Sequence, residues 1–289
     1  MRVVRSRAVD RQHVMNTVNE GTESMTDVHA SEGRITTELR DNVFLIGIDR
    51  PAKLNGFTPH MMRAMAQAFT TYEREDAARC AVVFAQGKHF TAGLDLPKMA
   101  PHLGTDSLMV EDDEIDPFDL RPPFRSKPVV FAVQGICFTL GIEMMLAADI
   151  VVAASDTRFS QLEVKRGLMP TGGATIRMVE RAGWGNAMRY LLTGDEFDAA
   201  TALRLGFIQE IVEPGEQLAR AIELAQHIGR QAPLAVRATI NNARSALMDG
   251  PSGARAQFGE IQRGLLASDD FAEGLRSFKE KREPGFSGR

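Results

Sequence analysis

Proton chemistry inside a protein needs carboxylates that water solvates poorly, and one glutamate of this sequence stands in such a setting. In QGICFTLGIEMMLAADI (134–150) an apolar strand-like run ends at a glycine and a helix begins. On that helix Glu143 has Thr139, Leu140, Leu146 and Ala147 as neighbours three and four positions away, a largely apolar face. Desolvation favours the neutral acid, and a raised pKa suits a group that must accept and return a proton near neutrality. A buried glutamate satisfied by an arginine or a backbone amide fits the same pattern. Glu163 is a second carboxylate, set ahead of a Pro-Thr-Gly-Gly turn (170–173) that opens another helix. Taken alone, beside Lys165 and Arg166, it reads as a solvated charge.

A third segment could supply electrostatic help rather than a proton. In GKHFTAGLDL (87–96) a strand ends in Gly87 and turns through Phe90, Thr91, Ala92 and Gly93, and small residues there let backbone amides approach a ligand. One N–H from each of the two strand-to-helix turns would make an oxyanion hole for a carbonyl oxygen. The glycine turn by itself reads more readily as an ordinary loop.

The elements that would position these residues are legible as periodicities. RITTELR and NVFLIGID flank Asp41-Asn42 as a β-hairpin. Thr58-Pro59 provides an N-cap and a first-turn proline, after which Met61, Met62, Met65, Phe69 and Tyr72 recur at helical spacing up to Glu75. The runs CAVVFA (80–85), PVVFAV (128–133), DIVVAA (149–154) and FIQEIV (207–212) predict buried parallel strands. Helical patterns fall at 141–148, 174–192 and 198–205, which makes the fold α/β with a ligand site where loops leave the strands' carboxyl ends. After Pro214 the chain turns helical, over 215–230, 233–248, 254–267 and 269–281, with Ser268 as N-cap of the last. The organisation expected is an N-terminal arm over 1–30 without packing periodicity, an α/β core over 31–213 and a helical region over 214–289. The stretch from Met99 to Phe124, with its acidic run 111–114, reads as a solvated loop or, alternatively, a substrate lid.

Composition narrows the partner. A chain of 289 residues with 44% hydrophobic content can bury a core without disulfides, and Cys80 and Cys137 sit in apolar surroundings as small core residues. A net charge of -4 and a pI near 5.9 give no general attraction to nucleic acid or an anionic membrane. No apolar run approaches the roughly 20 residues of a membrane helix and no signal-peptide pattern is visible, so a cytoplasmic location is expected. GxxxxGK[ST] and a strand-linked GxGxxG are absent, and GTESM (21–25) is not GxSxG, so nucleotide and serine-hydrolase chemistry are disfavoured.

In order and spacing, DRPAKLNGF (49–57), GKHFTAGLDL, PVVFAVQGICFTLGIEMMLAADI (128–150) and FSQLEVKRGLMPTGGAT (159–175) resemble the enoyl-CoA hydratase/isomerase, or crotonase, family. LLTGDEFDAATALRLGFIQEIV (191–212) and EGLRSFKEKREPGF (273–286) fit the same resemblance, which spans about 34–286. It implies a crotonase-like spiral of ββα turns, a C-terminal helical region, and a homotrimer or homohexamer. By position it makes Leu94 and Leu140 the backbone N–H donors of the oxyanion hole and Glu143 and Glu163 the catalytic acid and base. It assigns Lys53, Leu54, Ala92, Asp95 and Leu96 to coenzyme A and substrate binding, and Phe278 and Lys281 to C-terminal positions that reach coenzyme A, sometimes from a neighbouring subunit. Hydratases of the family commonly carry glycines where this chain has Thr139 and Leu140, and GAGG where it has Thr171 to Ala174. The activity implied is reversible hydration of a 2-enoyl-CoA, with no metal or redox cofactor, coenzyme A being part of the substrate. The alternatives are an isomerase or a carnitinyl-CoA-type dehydratase of the same family, or a catalytically silent coenzyme A-binding protein.

Overall fold

The computed structural model of the chain describes residues 32–104 and 109–289, and the arm expected over 1–30 lies outside them. Strands β1 (Arg34–Arg40) and β2 (Val43–Asp49) form the expected hairpin, with Asp41 at φ 55° in the turn. From β2 onward the chain repeats one unit: a strand of a large sheet, a short extended piece outside that sheet, and a helix. The first unit runs from β2 through Phe57, which bridges Leu94, into α1 (Pro59–Arg74). The second runs from β3 (Cys80–Ala85) through Thr91, which bridges Cys137, into the short α2 (Leu96–Met99). The third is β4 (Val129–Val133), β5 (Ile136–Phe138) and α3 (Leu140–Ala147). In the fourth, β6 (Ile150–Ala154) and β7 (Arg158–Ser160) lead through a 3-10 turn (Glu163–Arg166) to α4 (Ala174–Ala182). This is the ββα spiral that the resemblance implied.

The chain continues through α5 (Trp184–Thr193), β8 (Phe197–Asp198), α6 (Ala199–Arg204) and β9 (Glu210–Val212). The large sheet has the order β1-β2-β3-β4-β6-β9, parallel from β2 onward, and β5-β7-β8 make a small second sheet. Four helices follow: α7 (Gln217–Gly229), α8 (Pro233–Met248), α9 (Gly250–Leu266) and α10 (Asp269–Glu280).

Strict alternation along the strands divides the core between the two faces of the large sheet. Phe44, Ile46, Ile48, Ala81 and Val83 face α1, α3 and the small sheet. Val43, Leu45, Val82, Val130 and Val152 face Ala221 and Ala225 of α7. The inner strands β2, β3, β4 and β6 are covered on both sides and have no polar face, which is why they read as unbroken apolar runs. Helix α1 starts where the sequence placed it, because the Thr58 hydroxyl accepts from the Met61 N–H at 3.2 Å. The Ser268 hydroxyl caps α10 in the same way, accepting from Phe271 N–H at 3.1 Å.

Three sequence expectations need correction, and one element was not anticipated. The helix expected over 174–192 is two helices, because Gly183 (φ 76°, ψ 162°) leaves helical geometry between them. FIQEIV pairs as a strand only over Glu210–Val212, and Phe207 and Ile208 are buried ahead of it. The small sheet was not foreseen, since pieces of two or three residues carry no periodicity. The stretch after Met99 is not a wholly solvated loop: Val110, Ile115, Asp116 and Phe118 are buried. Asp116 accepts from the N–H groups of Phe118 and Leu120 at 2.9 and 3.1 Å, and the Ile115 N–H donates to the Thr70 hydroxyl at 2.9 Å. These bonds fold the segment down against α1.

Candidate active site

The second and third units of the spiral bring two backbone amides to one cavity. Phe57 N–H donates to Gly93 O at 2.9 Å and Asp95 N–H donates to Phe57 O at 2.8 Å, so the intervening Leu94 N–H points away from that bridge. Leu140 is the first residue of α3, where a helix leaves its N–H without an intrahelical acceptor. Among the described residues neither amide has a protein acceptor, and Leu94 and Leu140 both line a cavity of 320 Å³. Thr139, just before, adopts φ 48° and ψ -117°, a conformation that a β-branched residue rarely holds. It is fixed from both sides. Its N–H donates to Ser160 O at 2.9 Å, while its carbonyl accepts from Ile142 and Glu143 N–H at 2.8 and 3.1 Å. The Thr139 and Leu140 substitutions therefore leave a donor in place.

Both glutamates line the same cavity. Glu143 is 6% exposed, and its Oε1 accepts from the N–H groups of Gly172 and Ala174 at 2.7 and 3.3 Å, at the N-terminus of α4. Those amides and the helix dipole favour the carboxylate. Burial works against them, and with the nearby charge of Glu163 it pushes Glu143 up to about 7. Gly172 is required for this approach, because a Cβ there would lie 2.7 Å from Glu143 Oε2 and 2.8 Å from the ring of Phe118.

Glu163 opens the 3-10 turn and is half-buried, not the solvated charge that its basic neighbours suggested. Burial raises it to about 7 as well. The fully buried Gln161 lies beside it and, with its amide nitrogen turned toward Glu163, would donate to Oε1 and Oε2 at 3.1 and 3.2 Å. Two carboxyls poised near neutrality thus share a cavity with two open N–H donors.

The rest of the wall is apolar apart from Thr139, Arg166 and Thr171. Met62 comes from α1, Leu96 from α2, Phe118 from the folded-down segment, and Leu168, Met169 and Pro170 from the link into α4. Phe118, Gly172 and Arg166 were not singled out from sequence. An aromatic just after an acidic run in an irregular stretch was the available signal for the first, and the three-residue offset from Glu163 was the signal for the last.

The remaining expected contacts divide. Ala92 and Leu96 line the cavity, whereas Lys53, Leu54 and Asp95 do not. Leu54 is tied to the site through its carbonyl, which accepts from Ala92 N–H at 3.0 Å. Asp95 pairs with the buried Arg50 at 2.9 Å, which anchors the turn that holds Lys53. Phe278, 83% exposed, and Lys281 stand at the end of α10, outside the cavity lining. Among the described residues no group of three or more His, Cys, Asp or Glu is placed to hold a metal ion. No described helix is long and apolar enough to cross a membrane.

The model of the enoyl-CoA hydratase/isomerase family matches residues 38–289. The chain belongs to this family. As an enoyl-CoA hydratase/isomerase family member it is an enzyme of the lyase/isomerase type. It is 32% identical over 256 residues to enoyl-CoA hydratase EchA19 of Mycobacterium tuberculosis, covering 87% of this chain and 96% of that one. It is 33% identical over 254 residues to a carnitinyl-CoA dehydratase of Salmonella heidelberg, covering 84% and 94%. A crystal structure of a probable enoyl-CoA hydratase/isomerase from Mycobacterium abscessus superposes with a TM-score of 0.86 at 44% identity, over 88% of this chain and 98% of that one.

Proposed function

We propose that this family member adds water reversibly to a 2-enoyl-CoA. The carrying observation is that Glu143 and Glu163, both held near 7, line one cavity with the open N–H groups of Leu94 and Leu140. The thioester oxygen accepts from those two amides. Glu143, whose ionised form already has two amide donors, takes a proton from water as the water oxygen bonds to the β-carbon. The double-bond electrons move onto the thioester oxygen as an enolate, which the two N–H groups stabilise. Glu163, in its neutral form, then delivers a proton to the α-carbon. Coenzyme A enters as part of the substrate, and the residues named here carry out the proton transfers without a further cofactor.

Two further parts of the reading go with it. Exposed Leu266, Phe271, Leu275 and Phe278 along α9 and α10 support a homotrimer or homohexamer in which a second copy covers them and brings Phe278 and Lys281 toward a neighbouring site. The free, buried Cys80 and Cys137 suit a reducing compartment such as the cytoplasm.

The test is to incubate the enzyme with a panel of 2-enoyl-CoAs and read product masses, then repeat with Glu143→Gln and Glu163→Gln. A gain of one water is expected, and each substitution should slow it at least about 100-fold. Normal turnover by Glu163→Gln beside an inactive Glu143→Gln would replace the hydratase with a one-base isomerase.

A further inference from the structure

The cavity carries one feature that hydration of a plain alkyl enoyl-CoA does not use. Among the described residues lining it, Arg166 is the single cation; it is exposed and shares the lining with the two glutamates and with the apolar Met62, Leu96, Phe118, Leu168 and Met169. It lies three residues beyond Glu163 on the 3-10 turn, a spacing at which side chains eclipse and project from the same edge. Lys165, between them, turns its stem onto Gly194 instead. Among the described residues the guanidinium of Arg166 has one hydrogen bond, to the neighbouring Lys165 carbonyl at 3.2 Å, and no carboxylate within ion-pair distance. Glu163 is not its partner.

A guanidinium presents five donors in a fixed fork that matches a carboxylate. A hydrocarbon chain offers nothing to this exposed fork, whereas a chain ending in an anion would meet both the apolar wall and the fork. Resting on the reading of this cavity as the acyl-CoA site, we infer that the substrate is an acyl-CoA whose chain ends in a carboxylate and that Arg166 selects it. Arg166 is a specificity residue here, outside the proton transfers themselves.

Binding of hexanoyl-CoA and adipoyl-CoA, which have equal chain lengths and differ by the terminal carboxylate, tests this by calorimetric titration. The intact enzyme is expected to hold adipoyl-CoA up to about fivefold more tightly, as one exposed charge pair provides. Arg166→Gln should erase the preference by weakening adipoyl-CoA alone, and Arg166→Lys should retain part of it. Rising salt should shrink the preference. Equal affinities in the intact enzyme overturn the inference. So does equal weakening of both ligands in Arg166→Gln, which would put the arginine on the coenzyme A part common to both. A preference that survives Arg166→Gln overturns it too. The outcome is separable from the hydratase reading: an Arg166-dependent preference without water addition to any 2-enoyl-CoA would sink hydration and leave this selection standing, while turnover without the preference would do the reverse.

Discussion

Replacing Glu143 by Gln should make this enzyme inactive and, at alkaline pH, more stable. The substitution keeps an oxygen that can accept from the Gly172 and Ala174 N–H groups, now at 2.7 and 3.3 Å, and removes the titratable proton. Burial raises Glu143 from 4.5 to about 7. Between those values the unfolded chain has released its proton while the folded chain still holds one. The glutamate's contribution to stability is therefore fully present below 4.5 and is lost as pH rises through 7. At about 1.4 kcal/mol per pH unit, the loss amounts to about 0.8 kcal/mol at pH 5 and about 3 kcal/mol above pH 8. Gln escapes it. At on the order of 2 °C per kcal/mol for a chain of this length, Glu143→Gln should melt roughly 6 °C above the parent near pH 8.5 and within about 2 °C of it near pH 5. Scanning calorimetry of both proteins at one protein concentration reads the difference. Part of the rise comes from the Glu163 charge, so adding Glu163→Gln should yield less than the sum of the two single gains. A melting difference that does not grow with pH, or a variant less stable than the parent at pH 8.5, would refute the claim that desolvation holds this carboxyl near neutrality.

Two other outcomes follow from the same geometry. Gly172→Ala would force its methyl against Glu143 Oε2 and the Phe118 ring, and overpacking of this kind costs about 1–3 kcal/mol. Turnover should fall at least about tenfold through displacement of the carboxyl, and an alanine variant with normal kcat would show that the close approach is unimportant. Light scattering across a wide concentration range should return the mass of a trimer or hexamer, and a monomer throughout would rule out the covering of α9 and α10 by a second copy.

The sequence by itself determined the large-sheet strands, the hairpin and most of the helices, because each follows from local rules. Short, β-branched apolar runs suit strands covered on both faces, and Thr58-Pro59 and Ser268 mark helix starts through bonds that span three residues. It also marked Glu143, since a carboxylate on an apolar helical face is visible in spacing alone. The ordered motifs then named the family, which residues 38–289 match.

Only the tertiary structure decided how the site is charged and walled. Glu163 looks solvated beside Lys165 and Arg166, and it becomes half-buried because the 3-10 turn faces a cavity whose other walls lie far away in the chain. The amides that hold Glu143 come from Gly172 and Ala174, some thirty positions on, and no helical period could announce them. Phe118 reaches the site because Asp116 folds an irregular segment back on itself, a set of bonds without a repeat to read. The small sheet was equally silent, since strands of two or three residues are fixed by their partners and not by their own pattern. Local propensity is written along the chain, whereas burial, and with it every raised pKa in the cavity, is a property of what distant segments exclude from water.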